Sequence, residues 1–132
     1  MDKVALDASA ILAMLLGEPG GDELLAVFDK GSIGISISSV NFCEVITKLV
    51  RDGLTLDEAL SVVQDLREYV VDFDENQAIR AAGLFPLTSP KGLSLGDRAC
   101  LALASAEQAT AWTTDRAWSS LKLGIPIKLL RS

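Results

Sequence analysis

With no histidine among its 132 residues, the chain has no Ser–His or Cys–His nucleophile and no His-ligated zinc. Its two cysteines, Cys43 and Cys100, are far apart and lack any Cys-x-x-Cys spacing. Zinc ribbons and redox dithiols are therefore excluded, and both thiols read as small buried hydrophobes of a reducing compartment. Chemistry is left to carboxylates. Four stand out: Asp7 in Leu-Asp-Ala-Ser-Ala, Glu44 in Asn-Phe-Cys-Glu-Val, Asp97 in Leu-Ser-Leu-Gly-Asp-Arg-Ala, and Asp115 in Thr-Thr-Asp-Arg-Ala-Trp. Oxygen donors from separate segments, without imidazole, suit the hard cations Mg²⁺ and Mn²⁺.

The elements that must position these acids alternate between strand and helix. Strands are expected at Lys3–Leu6, Ile33–Ile37, Tyr69–Phe73, Thr110–Thr113 and, as an edge, Pro126–Leu130. Helices are expected at Ser9–Leu16, closed by Gly17, and Asp22–Lys30, closed by Gly31. A third, capped by Ser39, runs to about Asp52, and a fourth runs from the Thr55/Glu58 capping box to about Glu68. Glu75 to Leu84 and Ser94 to Gln108 follow, the latter apolar nearly all round, then a short helix near Arg116 to Leu121. Pro86 and Pro90 bracket an expected loop, Leu87 to Gly92. Strands separated by helices imply right-handed crossovers. The fold class is α/β, a three-layer sandwich around a mostly parallel sheet of about five strands, one domain over residues 1–132. In such sheets ligands bind at the carboxyl ends of the strands, where Asp7, Asp97 and Asp115 are expected.

Each acid also has a purely structural role open to it. Asp7 can cap the helix that follows, Asp97 can complete a capping box with Ser94, and Asp115 can cap the short helix after it. Glu44 falls opposite the stripe Phe42, Val45, Ile46, Leu49, with Lys48 four residues on, which fits a solvated ion pair. Ser9 reads equally as a first-turn helix residue, Thr114 as a strand-end backbone partner, and Arg116 as surface. Trp112 and Trp118 read as packing residues, with base stacking open to Trp118.

Taken in order, these four segments resemble PIN-domain nucleases, most closely VapC-type ribonuclease toxins of prokaryotic toxin–antitoxin pairs, over Val4 to Leu130. The resemblance implies metal-dependent hydrolysis of RNA phosphodiester bonds, with Asp7, Glu44, Asp97 and Asp115 as the catalytic, metal-binding quartet for one or two Mg²⁺ or Mn²⁺ ions. Glu44 would bind metal or orient the attacking water. Ser9 and Thr114 match supporting hydroxyl positions, Asn41 and Arg116 flank the site, and Arg116 is a candidate RNA contact. The resemblance also implies a homodimer silenced by a small antitoxin protein. Leu15, Leu16, Leu24, Leu25 and Phe28, in two short helices, offer an apolar surface for such partners.

The net charge of −6 argues against nucleic acid, unless several of the eighteen acids hold divalent cations, when the imbalance nearly vanishes. No segment is long and apolar enough to span a membrane. The start resembles a signal peptide, but Asp7 interrupts its apolar stretch and Asp2 offsets Lys3, so a cytoplasmic protein is expected. Two other readings compete. One is an aspartate-based phosphotransfer or phosphatase domain, although the first strand ends in Asp-Ala-Ser without the Asp-x-Asp of those phosphatases, and no lysine closes a later strand. The other is a non-catalytic PIN-like interaction module.

Overall fold

A computed structural model describes residues 2–130. Five strands, β1 (Lys3–Leu6), β2 (Gly34–Ser38), β3 (Val70–Val71), β4 (Thr110–Thr113) and β5 (Ile127–Leu129), form one sheet in the order β3-β2-β1-β4-β5. Every pairing is parallel. The chain runs outward from β1 through β2 to β3, then crosses back to place β4 on the other side of β1. The order thus reverses between β1 and β4, and their carboxyl ends flank the crevice there.

Side-chain alternation along the strands divides the core in two. Val4 and Leu6 of β1 and Trp112 of β4 face one way, into a cluster with Ile11, Leu24, Val45, Leu49 and Val63. That layer is built by α1 (Ala8–Leu16), α2 (Gly21–Lys30), α3 (Ser39–Arg51) and α4 (Leu56–Val63). Ala5 and Ala111 face the other way, against Cys100, Leu101, Leu103, Ala104 and Trp118. This second layer is α7 (Leu95–Glu107), with α5 (Glu75–Gly83) packed on it. Small residues on both sides of that contact let α7 lie close to the sheet, and Ala99 to Leu103 are buried almost completely.

Most expected elements are found within a residue or two. Gly17 and Gly31 close α1 and α2, and Thr55 and Glu58 form the capping box of α4. Four expectations are corrected. Ser38, not Ser39, caps α3 by accepting from the Val40 N–H, while Ser39 Oγ accepts from the Phe73 N–H and ties α3 to the chain beyond β3. The helix expected to reach Glu68 is α-helical only to Val63 and continues as a 3₁₀ turn over Gln64–Tyr69. That turn shortens β3 to two residues. The segment between the prolines is α6 (Phe85–Thr88) followed by a 3₁₀ turn, Ser89–Lys91, because each proline sits in a first turn, where its missing N–H costs nothing. Among the described residues no helix is long and apolar enough to cross a membrane.

Candidate active site

Strand alternation places Asp7 on the α7 side of the sheet, two residues beyond Ala5. Thr113 lies on the same side, two beyond Ala111, and the β1–β4 register pairs Ala5 with Ala111. The two side chains meet: Thr113 Oγ1 donates to Asp7 Oδ2 at 3.0 Å, and Ser9 Oγ donates to the same oxygen at 2.7 Å. Ser9 Oγ also accepts from the Thr114 N–H, and Thr113 Oγ1 accepts from the Asp115 N–H, both at 3.1 Å. The side chain of Asp7 makes no helix cap; its role is in this network. Asp7 is 3% exposed. Burial pushes its carboxyl up to about 7, against the opposing hydrogen bond from Ser9, with the charges of Asp97 and Glu44 adding to the rise.

Asp97 and Asp115 do take the capping roles open to them. Ser94 and Asp97 form a reciprocal capping box at the start of α7, where the Ser94 N–H donates to Asp97 Oδ2 at 2.8 Å. Asp115 Oδ1 accepts from the Ala117 N–H at 2.9 Å. Neither cap removes its acid from the cleft at the sheet's carboxyl edge, which is lined by Asp7, Ser9, Glu44, Asp97 and Asp115. Burial raises the Asp97 carboxyl, and the neighbouring Asp115 charge adds to it.

Glu44 makes no ion pair with Lys48, which reaches Asp52 instead at 3.0 Å. Asn41, fully buried one turn earlier on α3, donates from Nδ2 to Glu44 Oε1 and to the Gly96 carbonyl, both at 2.9 Å. That fork ties α3 to the first turn of α7 and fixes the Glu44 carboxylate over Gly96. A Cβ at Gly96 would collide with that carboxylate. Burial raises the Glu44 carboxyl, with Asp97 contributing.

All four acids share one pattern. Asp7 Oδ2, Glu44 Oε1, Asp97 Oδ2 and Asp115 Oδ1 are held by protein donors. The second oxygen of each has no donor among the described residues. The acids do not close into a compact cage; among the described residues no three Asp, Glu or Cys side chains converge as one. An open arrangement of single oxygens suits Mg²⁺, which keeps much of its water and takes one or two carboxylates.

The other expected residues fall into place unevenly. Ser9 and Asn41 are in the network. The hydroxyl that steadies Asp7 belongs to Thr113, not Thr114, which contributes its backbone N–H and lines an adjoining pocket with Glu18, Pro19 and Arg116. Arg116 is exposed in that second pocket. Trp118 is fully buried, which removes base stacking, and Cys43 is exposed in the cleft while Cys100 is buried. Of the apolar surface near the amino terminus, Leu24 is core and Phe28 packs edge-on to Tyr69, while Leu16 and Leu25 stay about half exposed. Thr113 and Gly96 escaped the sequence reading. Strand parity counted from Ala111 would have found the threonine.

Comparison with known proteins places the fold. The model of the PIN domain matches residues 4–123. No curated protein shows significant sequence similarity to the chain. Among solved structures, the chain is similar to VapBC2 from Rickettsia felis bound to a promoter DNA fragment, with TM-score 0.72, 18% identity and 98% of each chain covered. It is similar to DNA-bound VapBC from Salmonella typhimurium, with TM-score 0.72, 21% identity, and 98% of this chain and 99% of that one covered. A toxin–antitoxin complex from Klebsiella pneumoniae gives TM-score 0.72 at 16% identity, over 100% of this chain and 99% of that one.

Proposed function

The chain belongs to the PIN-domain family, and from that premise we propose that it is a divalent-metal-dependent endoribonuclease, the toxin of a type II toxin–antitoxin pair. The observation that carries this is the shared state of the four acids: one oxygen of each held by the protein, the other without a protein donor, in a single cleft. Asp7, Asp97 and Asp115 would hold one or two Mg²⁺ or Mn²⁺ ions, and Glu44 would bind metal or orient water. When bound, such a cation makes water easier to deprotonate and offsets charge on the phosphate and the leaving oxygen.

The chain's own groups prepare that chemistry. Ser9 and Thr113 keep Asp7 Oδ2 satisfied, so Asp7 presents one orientation. Asn41 does the same for Glu44 across the α3–α7 contact. The raised carboxyls of Asp7, Glu44 and Asp97 reflect acids crowded in a desolvated place, which a cation would relieve. An aspartyl-phosphate domain lacks this support, since among the described residues no lysine lines the acidic edge except Lys48, in the last turn of α3.

Residues 1–132 make one nuclease domain, acting on RNA in the cytoplasm, where the two unpaired cysteines stay reduced. It works as a homodimer silenced by a small antitoxin. The exposed Leu16 and Leu25 support an apolar contact on α1 and α2, and the Klebsiella pneumoniae neighbour is a toxin–antitoxin complex. The test is cleavage of RNA by purified protein with Mg²⁺ or Mn²⁺, abolished by chelator and leaving 5′-phosphate ends. Asp97→Asn should lower cleavage by orders of magnitude with the helical circular-dichroism signal intact. Wild-type cleavage by that variant refutes the assignment, and metal-dependent binding without cleavage points to an interaction module. Mass in solution at low micromolar concentration checks the dimer.

A further inference from the structure

We propose that Lys48 and Arg51 seat the backbone of a single RNA strand beside the scissile phosphate, an assignment that rests on the nuclease reading above. A chain of net charge −6 repels a polyanion at long range, so its grip must come from cations close to the acids. Among the described residues, Lys48 and Arg51 are the cations that line the acidic cleft. Three other basic side chains are engaged elsewhere, and Arg116 opens into the second pocket. Lys128 pairs with Glu23 at 2.7 Å and lies over Trp112; Arg98 donates to the Ala81 carbonyl and lies over Phe85; Arg80 donates to Ser105.

Their spacing follows from the helix that carries Glu44. Glu44, Thr47, Lys48 and Arg51 lie at i, i+3, i+4 and i+7, one face of α3, and all four line the same cleft of about 540 Å³. At 1.5 Å per residue, Lys48 and Arg51 start about 6 Å and about 10 Å along the axis from Glu44. That is the reach of neighbouring phosphates on an extended strand whose scissile phosphate sits at the acids. The wall has acid at one end and base at the other. Across it stand Ala8 and Leu12 of α1, an apolar face suited to a sugar or base. A duplex would set a second row of phosphates against that face, so the cleft suits one strand. Lys48 is partly neutralised by Asp52, while Arg51 makes no ion pair with a described residue, so Arg51 carries the larger share.

Steady-state cleavage of single-stranded RNA and of the same sequence in duplex, across a salt series, tests this with the full chain and Mg²⁺. Arg51→Gln should raise KM about tenfold, the scale of one charged contact, with kcat little changed. Wild-type log affinity should fall against log salt with a slope of about −1.4, and Arg51→Gln should remove about 0.7 of it. Lys48→Gln should do less, Arg51→Lys should restore the slope, and Arg67→Gln, outside the cleft, should match wild type. An Arg51→Gln enzyme with wild-type KM and slope, or equal cleavage of duplex, overturns the assignment and leaves the nuclease standing. Wild-type protein that cleaves no RNA overturns both.

Discussion

Replacing Asp7 by asparagine should make the metal-free protein more stable at pH 8 while destroying its activity. In the fold the carboxyl of Asp7 is pushed up from 3.8 to about 7, chiefly by burial. The native state therefore binds its proton more tightly than the unfolded chain. This contribution to stability is complete below about pH 4 and is lost as pH rises through about 7. At about 1.36 kcal/mol per pH unit over about three units, the loss is about 4 kcal/mol. Asparagine is neutral throughout, and its Oδ1 can accept from Ser9 and Thr113 as Asp7 Oδ2 does. The variant should then gain up to about 4 kcal/mol at pH 8, roughly 15 °C in Tm for a chain of this length. At pH 4 the two proteins should nearly coincide. Urea unfolding with EDTA at several pH values measures the gap. Mg²⁺ should narrow it at pH 8 by binding the wild-type native state more strongly. A variant no more stable than wild type at pH 8, or a wild-type stability flat from pH 4 to 8, would refute the reasoning.

Gly96→Ala adds a methyl where the Glu44 carboxylate lies. Moving the Glu44 tip aside breaks its bond from the buried Asn41 amide, so the variant should lose about 1–3 kcal/mol while cleavage falls at least tenfold. Thr113→Val strips one donor from Asp7 and leaves the Asp115 N–H unpaired, costing about 1–3 kcal/mol by chemical denaturation. Thr114→Val keeps the backbone N–H that Ser9 uses, so it should stay within about 0.5 kcal/mol of wild type.

That Asp7 and Asp115 line the cleft was legible because a parallel α/β pattern fixes which strand ends face the crevice, and Asp97 because α7 starts at that same edge. Glu44 was not legible from periodicity. A helical stripe identifies one buried face, but α3 packs against α1, α4, α7 and the sheet, so its polar side toward α7 is no solvated face. Asn41 is the sign of this: an amide fully buried, spent on Glu44 and Gly96. The family resemblance supplied what periodicity withheld. Thr113 and Thr114 differ only in strand parity, and an error of one residue moved the hydroxyl to the wrong side. The proline segment was misread because proline at a first helical turn and proline in a loop look alike in sequence. The short β3 follows from the 3₁₀ turn that uses up Tyr69, which no local pattern announces.

The bond between Asp7 and Thr113 joins residues 106 apart in sequence. It is among the longest closures in the molecule, and it belongs to a central strand pair that cannot form until β4 has been made. Closing so long a loop is entropically costly and slow, and a chain emerging amino-terminus first reaches that step only after β1, β2 and β3 have been made. A nascent chain through α3 already carries Asp7 and Glu44, yet it lacks the first turn of α7 over which Glu44 is held and the threonine that steadies Asp7. Synthesis itself thus keeps the acidic cleft unassembled until α7 and β4 have been made.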